Sequence, residues 1–508
     1  MKELVKKYYK PAILILSLIF VFCLVYSVHF DYNYPFHSDE WQHAAQSVGV
    51  VDRGYGGFNP YFEGEGERKD LEIGFHVFLA EMFLITGMDP VQDYQWLPAL
   101  FATIAAFILF VFVNKVSNFP TAIFSMLFFA SIKSNVNILG LWFFVPLTLA
   151  VLLLYLLFFL FSEGLEKKDL RLLFVSVIIL FTLFLVHGIS AVFAAPILLL
   201  YFLASYFPER KEFNKMFFGR SKKHIFIFGF LIILGLLAFA FVWKGSISHT
   251  LGFIKSSLMF GSEWTNYAKL YTFRFYGTIP LVLAMVGILP AIMDARKRLF
   301  ALWAGFSIVL IFFSFFYTYN VSFLVPYQRA IYYTFIVFAP LSAFGLSYCL
   351  GCFKKVFGSK TVFFLLYGLI VLFVFYSVFA NYYDTDKGLG LYHNIDDADY
   401  DAIKWIEENY GNYNIILAFP HISSAIYPVS RNYVVSITPT QLGGGPLKET
   451  YRFFEKDCEF KAEFLEDYKA DFVLSKEKIE CEGFEEIYRK NNYVYTLESG
   501  SSLQSEVI

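Results

Sequence analysis

Two adjacent carboxylates are the first residues in this chain that could do chemistry. Just beyond the first apolar stretch the sequence reads His37-Ser38-Asp39-Glu40-Trp41-Gln42-His43. Adjacent acids can divide labour. One orients a partner or binds a cation, while the other accepts a proton from a hydroxyl. His37 and His43 add imidazoles, so Asp39, Glu40 and His43 are candidate ligands for a divalent metal. A helix opening at Asp39 would put Glu40 and His43 on one face at i, i+3. The same run also reads as a solvated acidic loop, and residue types alone leave both readings open.

The loop around this run, residues 30–72, holds nine acidic and three basic residues. It is too long for a mere connector. It leads into Leu71–Gly87, which reads as an amphipathic helix at the membrane surface. Glu72 and His76 stand one turn apart there. They either face Asp39 or, for Glu72, cap the helix start, where acids are favoured. Cations come later: Lys244, Lys255, Lys269 and Arg274 in the loop 244–275, and Arg329 after Pro326-Tyr327-Gln328. The planar guanidinium fork suits phosphate, and an arginine at a helix end also snorkels. Together these residues suggest a site for an anionic amphiphile. His187-Gly188 falls at a turn between two apolar runs, where a polar residue is either structural or functional.

The elements that must hold these groups are mostly apolar helices. The chain is 57% hydrophobic and 21% aromatic, with 17% charged residues, against about a quarter in soluble proteins. With a formal net charge of −2, no nucleic-acid partner is expected. Runs of spanning length, about 20 residues, fall near 11–29, 93–113, 119–133, 140–161, 171–187, 189–207, 224–243, 276–293, 299–317, 329–350 and 361–380. Each must be helical, because lipid offers the backbone no partner. Eleven spans with the amino end inside put 20 Lys and Arg on the inner side and nine on the outer side before residue 381. That asymmetry predicts a multi-pass cell-membrane protein with a cytoplasmic amino end. No small-residue cleavage site follows the first run, so it is expected to remain as an uncleaved helix.

A charge break near Asn381 divides a transmembrane body, residues 1–380 with its first outer loop at 30–92, from a soluble outer tail, residues 381–508. The tail carries 12 basic and 23 acidic residues. Its pattern predicts helix 398–409, strand 414–419, a short helix, strand 433–437, two helices, strand 471–474 and a closing strand 493–497, a small α/β domain. Cys458 and Cys481 lie in it, either disulfide-bonded or as free thiols. Cys349 and Cys352 form a Cys-x-x-Cys with no thioredoxin-like unit around it.

The order of parts resembles the polyprenyl-phosphate-sugar-dependent glycosyltransferases of the GT-C superfamily: protein O-mannosyltransferases, lipid A aminoarabinose transferases and oligosaccharyltransferases. The resemblance rests on His37-Ser38-Asp39-Glu40-Trp41, then Asn59-Pro60-Tyr61-Phe62, then Glu72-Ile73-Gly74-Phe75-His76, where mannosyltransferases carry a His-Pro-Pro element. The tail is similar to archaeal members over Ala402–Asn409 and Ser430-Arg431-Asn432-Tyr433-Val434. It lacks the Trp-Trp-Asp-Tyr-Gly run, and Lys133–Leu139 carries no carboxylate. The resemblance therefore implies moving a single hexosyl or pentosyl unit from a polyprenyl-phosphate carrier, with inversion. The acceptor would be a lipid, glycan or protein at the outer face, amid membrane lipid. It implies Asp39 as general base, Glu40 as an orienting group, and Arg329 or Arg274 on the leaving phosphate; the residues themselves add Lys269, Glu72 and His76 as further substrate-binding candidates, and the resemblance gives His76 no role. No cofactor is certain, and a divalent metal is compatible. The competing classes are a polysaccharide polymerase or ligase, expected to place its chemistry in a late outer loop, and a non-enzymatic lipid-linked-sugar transporter, expected to show mid-membrane charges and internal repeats.

Overall fold

The computed structural model describes residues 2–54, 59–64, 70–134, 138–206, 259–260, 276–316, 322–356, 360–380, 392–438 and 443–497. The expected span 224–243 and the basic residues Lys244, Lys255, Lys269 and Arg274 lie outside the described residues. The helices before that stretch are α1 (Lys2–Tyr26), α2 (Ser38–Arg53), α3 (Ile73–Thr86), α4 (Trp96–Val116), α5 (Phe119–Ala130), α6 (Pro146–Lys167), α7 (Leu170–Val186) and α8 (Gly188–Tyr206). After it come α9 (Thr278–Met293), α10 (Arg298–Phe316), α11 (Tyr327–Val356), α12 (Lys360–Ala380), α13 (Asp397–Tyr410), α14 (Pro420–Ser430), α15 (Leu447–Glu455) and α16 (Cys458–Asp467). Every other expected span falls on one of these helices. Among the described residues, 5 helical stretches are long and apolar enough to cross a membrane: Tyr8–His29, Trp96–Val116, Pro146–Lys167, Gly188–Ser205 and Tyr327–Lys355. Phe119–Ala130, Leu170–Val186, Thr278–Met293 and Leu365–Tyr376 are apolar but shorter.

The chain divides into two compact units. The first comprises Met1–Val25, Pro98–Trp142 and Pro146–Asp386, and the second Tyr26–Leu97, Phe143–Val145 and Lys387–Ile508. In the first, α11 is the central helix. Pro340 sits inside it and cannot donate to the carbonyl four residues back. That carbonyl, Ile336 O, instead accepts the Tyr155 hydroxyl of α6 at 2.7 Å. Two short strands, β1 (Met259–Phe260) and β2 (Ser322–Phe323), pair antiparallel. Helices α9 and α11 touch backbone to backbone. A Cβ on Gly287 would stand 1.9 Å from Leu341 O, and one on Gly345 1.9 Å from Leu283 O. Gly287→Ala or Gly345→Ala must therefore part the helices, at about 1–3 kcal/mol or more. A thermal melt in detergent is expected to show a clearly lowered Tm for each. An unchanged Tm would mean that the two helices separate without cost.

The second unit is an α/β body. Its sheet runs in the order β4 (Tyr433–Val434), β3 (Ile415–Leu417), β5 (Phe472–Ser475), β7 (Tyr493–Leu497), β6 (Phe484–Arg489). β4, β3 and β5 are parallel, and β7 and β6 are antiparallel additions. From β3 the chain crosses through α14 to β4 on one side, then through α15 and α16 to β5 on the other. That reversal makes the carboxyl edge at β3 a topological switch point, where open α/β sheets bind ligands. Leu417, Val473, Phe453, Phe464 and Tyr495 form the core of this body. Cys458 and Cys481 are joined by a disulfide, with Cα atoms 5.4 Å apart. Cys349 and Cys352 are free thiols.

The segments between α1 and α4 belong to this unit. Helix α2 packs on α3 and α14. Pro428 in α14 frees the Ser424 carbonyl, and the buried Tyr61 hydroxyl donates to it at 2.8 Å. Arg431 clamps Asp52 with Nε 3.0 and 2.9 Å from the two carboxylate oxygens. Arg53 lies over the Tyr413 and Tyr433 rings, 5.2 and 5.6 Å from their centroids, and donates to the Tyr433 hydroxyl. The expected helix after Leu71 is present as α3. On its outward side Leu84, 61% exposed, and Ile85, 80% exposed, stand beside exposed Glu81. The amphipathic reading is corrected to a helix that offers apolar side chains on both faces.

Candidate active site

The start of α2 sets the site. His37 is its cap in extended backbone conformation, and its Nδ1 accepts from the Asp39 N–H at 3.1 Å. Glu40 returns the bond by accepting the His37 N–H at 3.1 Å, a reciprocal cap that satisfies donors the helix leaves open. Glu40 goes further. Its Oε2 also accepts the Phe36 N–H at 2.8 Å, and its Oε1 accepts the Phe144 N–H at 2.6 Å. The residue is fully buried. Burial pushes its carboxyl up to about 8, while the three N–H donors pull it back down. Around it, Phe36 stacks on Tyr392 at 4.8 Å and on Phe143 at 5.9 Å.

Asp39, one residue earlier, points the other way. Its side chain is 39% exposed and stands 3.9 Å from His37 Nδ1. The paired acids thus separate into a buried fastener and an accessible carboxylate, a division that residue types could suggest but not assign. The run before α2 lies along the residues entering α13. His37 bridges to Tyr392, the Tyr34 hydroxyl donates to Asp397 at 2.8 Å, and Tyr32 stacks on His393 at 4.1 Å. Lys476, directly after β5, holds Asp396 and Asp399 at 2.8 and 2.9 Å. The start of α13 therefore lies at the carboxyl edge of the sheet, with the entry to α2 beside it.

His43 and His76 meet, with His43 Nδ1 2.9 Å from His76 Nε2. Behind them His76 Nδ1 lies 2.6 Å from Asp70 Oδ2. The expected Glu72–His76 pairing is replaced by this chain. Glu72 is the residue at the N-cap of α3, its side chain makes no capping bond there, and its N–H donates to Asp70 Oδ1 at 2.9 Å. Asp70 was not singled out from sequence, because it ends an acidic tract that reads as solvated surface. Its spacing before a helix start is the one signal that marks it as a turn residue.

Of the metal candidates Asp39, Glu40 and His43, Glu40 does not fit a metal centre. Among the described residues no three His, Cys, Asp or Glu side chains come together to hold an ion. Both Glu40 oxygens are committed to backbone N–H groups.

In the first unit, Arg329 lies in the first turn of α11 and donates from Nη1 to Ile138 O at 3.2 Å. His187 is buried. Its Nδ1 lies 2.7 Å from Ser190 Oγ, which lies 2.6 Å from the Tyr333 hydroxyl. Arg274 and Lys269 lie outside the described residues.

Comparison with known proteins places the fold. No protein-family profile matches the sequence, and no curated protein matches it. Solved structures do. An oligosaccharyltransferase of Archaeoglobus fulgidus, solved tethered through a disulfide to an acceptor peptide containing the NVT sequon, aligns with TM-score 0.59 at 14% identity, over 93% of this chain and 69% of that one. The same enzyme in complex with Zn and sulfate aligns with TM-score 0.57 at 14% identity, over 91% of this chain and 68% of that one. The mycobacterial arabinofuranosyltransferase AftD aligns with TM-score 0.53 at 11% identity, over 96% of this chain and 40% of that one. The chain shares the fold of these solved structures. More particularly, the chain is similar in architecture to an archaeal oligosaccharyltransferase and to an arabinofuranosyltransferase, at identities that speak for fold alone.

Proposed function

We propose that this protein is a membrane glycosyltransferase that moves one hexosyl or pentosyl unit from a polyprenyl-phosphate carrier to an acceptor hydroxyl, with inversion. The observation that carries the reading is the accessible Asp39 carboxylate at the first turn of α2. It is held there by a cap in which His37 Nδ1 accepts the Asp39 N–H and Glu40 accepts buried backbone N–H groups. A base on a locked helix start meets the geometric demand of proton abstraction. The GT-C architecture supports it, as does the nearness of the α2 entry to the ligand-binding edge of the sheet.

Asp39 accepts the proton of the acceptor hydroxyl as the oxygen attacks the anomeric carbon. The bond to the carrier oxygen breaks on the opposite face, and polyprenyl phosphate leaves. Glu40 keeps Asp39 in place and touches no reactant. Arg329, ahead of Arg274 and Lys269, stabilises the leaving phosphate, as a preorganised cation does most effectively away from bulk water. The topology that goes with this reading has eleven spans, including the shorter apolar helices. The amino end is cytoplasmic, and the α/β body is outside, where its disulfide persists. The acceptor is a lipid, a glycan or a protein hydroxyl.

The test follows release of radiolabelled sugar from a lipid-monophosphate donor in membranes containing the protein. Transfer is expected only with the lipid-linked donor, not with a nucleotide sugar. Transport of the intact lipid-linked sugar without bond cleavage would point to a flippase instead. Arg329→Ala is expected to raise the donor KM about tenfold or more. Arg329→Lys should recover only part of the loss, because the fork is gone. Equal recovery by Lys would reduce Arg329 to a point charge.

A further inference from the structure

Arg329, Tyr332 and Tyr333 stand on one side of α11, at i, i+3 and i+4. Long side chains on a helix lean back over the preceding turn, so both tyrosine rings reach toward the turn that carries Arg329. They differ in how they are satisfied. The Tyr333 hydroxyl lies 2.6 Å from Ser190 Oγ, which lies 2.7 Å from His187 Nδ1. The Tyr332 hydroxyl is fully buried and has no hydrogen-bond partner among the described residues. A buried open hydroxyl is costly and asks for an explanation. The direction of the Tyr333 chain follows from counting protons. Ser190 Oγ is the hydrogen-bond partner of the buried Tyr333 hydroxyl. If Ser190 donated to it, the phenolic proton would have no acceptor among the described residues. Tyr333 O–H therefore donates to Ser190, Ser190 O–H donates to His187 Nδ1, and every proton in the chain is used. In a neutral imidazole the remaining proton then sits on Nε2. His187 is buried, and that N–H meets no acceptor among the described residues.

His187, Tyr332 and Tyr333 all lie within electrostatic reach of Arg329. Arg329 spends one N–H on Ile138 O at 3.2 Å and pairs with no carboxylate among the described residues. The set offers an N–H, an O–H and a guanidinium, and no acid. Donors around a cation without a counter-charge suit phosphate oxygens. We propose that Arg329, Tyr332 and His187 together bind the phosphate of an isoprenoid carrier, with Ser190 and Tyr333 as positioning residues that keep the His187 proton on Nε2. This rests on the glycosyl-transfer reading for the identity of the phosphate, and it gives Arg329 two further donors. The sugar donor is a phosphodiester with one negative charge. When the bond from the anomeric carbon breaks, its electron pair stays on the carrier oxygen, and the departing monoester carries a second charge. Hydrogen bonds that tighten on that charge favour departure over the bound donor.

The test is binding, measured by calorimetric titration of the full-length protein in detergent with farnesyl monophosphate. Farnesol and inorganic phosphate are the controls for tail and head. Farnesyl monophosphate should bind at least about tenfold more tightly than either control. Tyr332→Phe removes only the hydroxyl. Because that hydroxyl holds nothing in the protein, Tm should stay at or above the parent value, while affinity falls about tenfold. A purely structural tyrosine would show the reverse. His187→Gln keeps an N–H near the Nε2 position and should retain more affinity than His187→Ala. Tyr333→Phe should weaken binding without touching the ligand. Parental affinity in folded Tyr332→Phe and His187→Ala overturns the site. Farnesol binding as tightly as farnesyl monophosphate does so too, because only the tail would then be held. Inorganic phosphate binding as tightly, or phosphatidylglycerol displacing farnesyl monophosphate at equal concentration, overturns the carrier as the ligand. A parent protein that binds farnesyl monophosphate through these residues, yet transfers no sugar from any lipid-phosphate donor, overturns the glycosyl-transfer reading and leaves the site standing.

Discussion

Asp39→Asn is expected to lower sugar transfer by about 10²–10⁴-fold, the range typical for removing a general base. The amide keeps the size of the side chain and its ability to accept a hydrogen bond, so the cap that His37 makes with the Asp39 backbone should persist. Only proton affinity is lost. Donor KM should therefore stay near its parent value while kcat collapses, because the interaction removed exists only as the bond to the acceptor forms. Asp39→Glu moves the carboxylate by one methylene and should keep a small residue of activity. Membranes containing each variant, assayed for release of labelled sugar, give the answer. Near-parental turnover by a folded Asp39→Asn protein would remove Asp39 from the mechanism. Glu40 could not replace it as the base without giving up bonds to three backbone groups, so the reaction class itself would have to change.

Much of the fold was legible because apolar helices announce themselves through composition. Runs of spanning length became α4 to α12 with ends shifted by a few residues, as expected where the signal is hydropathy and the boundary is capping. The alternation in the tail was equally plain, except for β6. Phe484-Glu485-Glu486-Ile487-Tyr488-Arg489 places acids side by side, and the ladder shifts register between Glu486 and Tyr488. Both break the period of two that marks a strand.

The site was legible by residue type and illegible by partner. Asp39, Glu40, His43 and His76 stood out as chemistry-bearing, yet which acid is buried depends on Phe144, 104 positions after Glu40. No local pattern carries a contact of that span. His76 was read against Glu72 at helical spacing. The pair that forms is with Asp70, whose position is set by a turn rather than by a period. Nor did the charge break near residue 381 reveal which segments pack together. The loop residues Asp52, Arg53 and Tyr61 join the α/β body through ion-pair, cation–π and hydroxyl contacts, each specific in geometry and silent in hydropathy.

Glu40→Ala is expected to be the most damaging substitution for stability around the site. It leaves the Phe36, His37 and Phe144 N–H groups buried without their acceptor. Each orphaned donor costs about 1–3 kcal/mol, so the loss is a large part of the stability of an ordinary domain. Glu40→Gln retains one acceptor oxygen but turns an amide N–H toward a donor, and its Tm should fall between those of Ala and the parent. The pH dependence carries a sign. The folded carboxyl titrates near 8 against an ordinary value of 4.5, so between those values the folded protein binds more protons than the unfolded chain. The stability that Glu40 contributes through this proton is complete below about 4.5 and is lost as pH rises through about 8. The gap in Tm between parent and Glu40→Gln should therefore narrow from pH 5 to pH 9, measured by intrinsic fluorescence in detergent. A gap that widens instead would mean that the three N–H donors outweigh burial and that Glu40 is a carboxylate throughout. A Glu40→Ala protein with parental Tm would show that the start of α2 is not fastened to Phe144 at all.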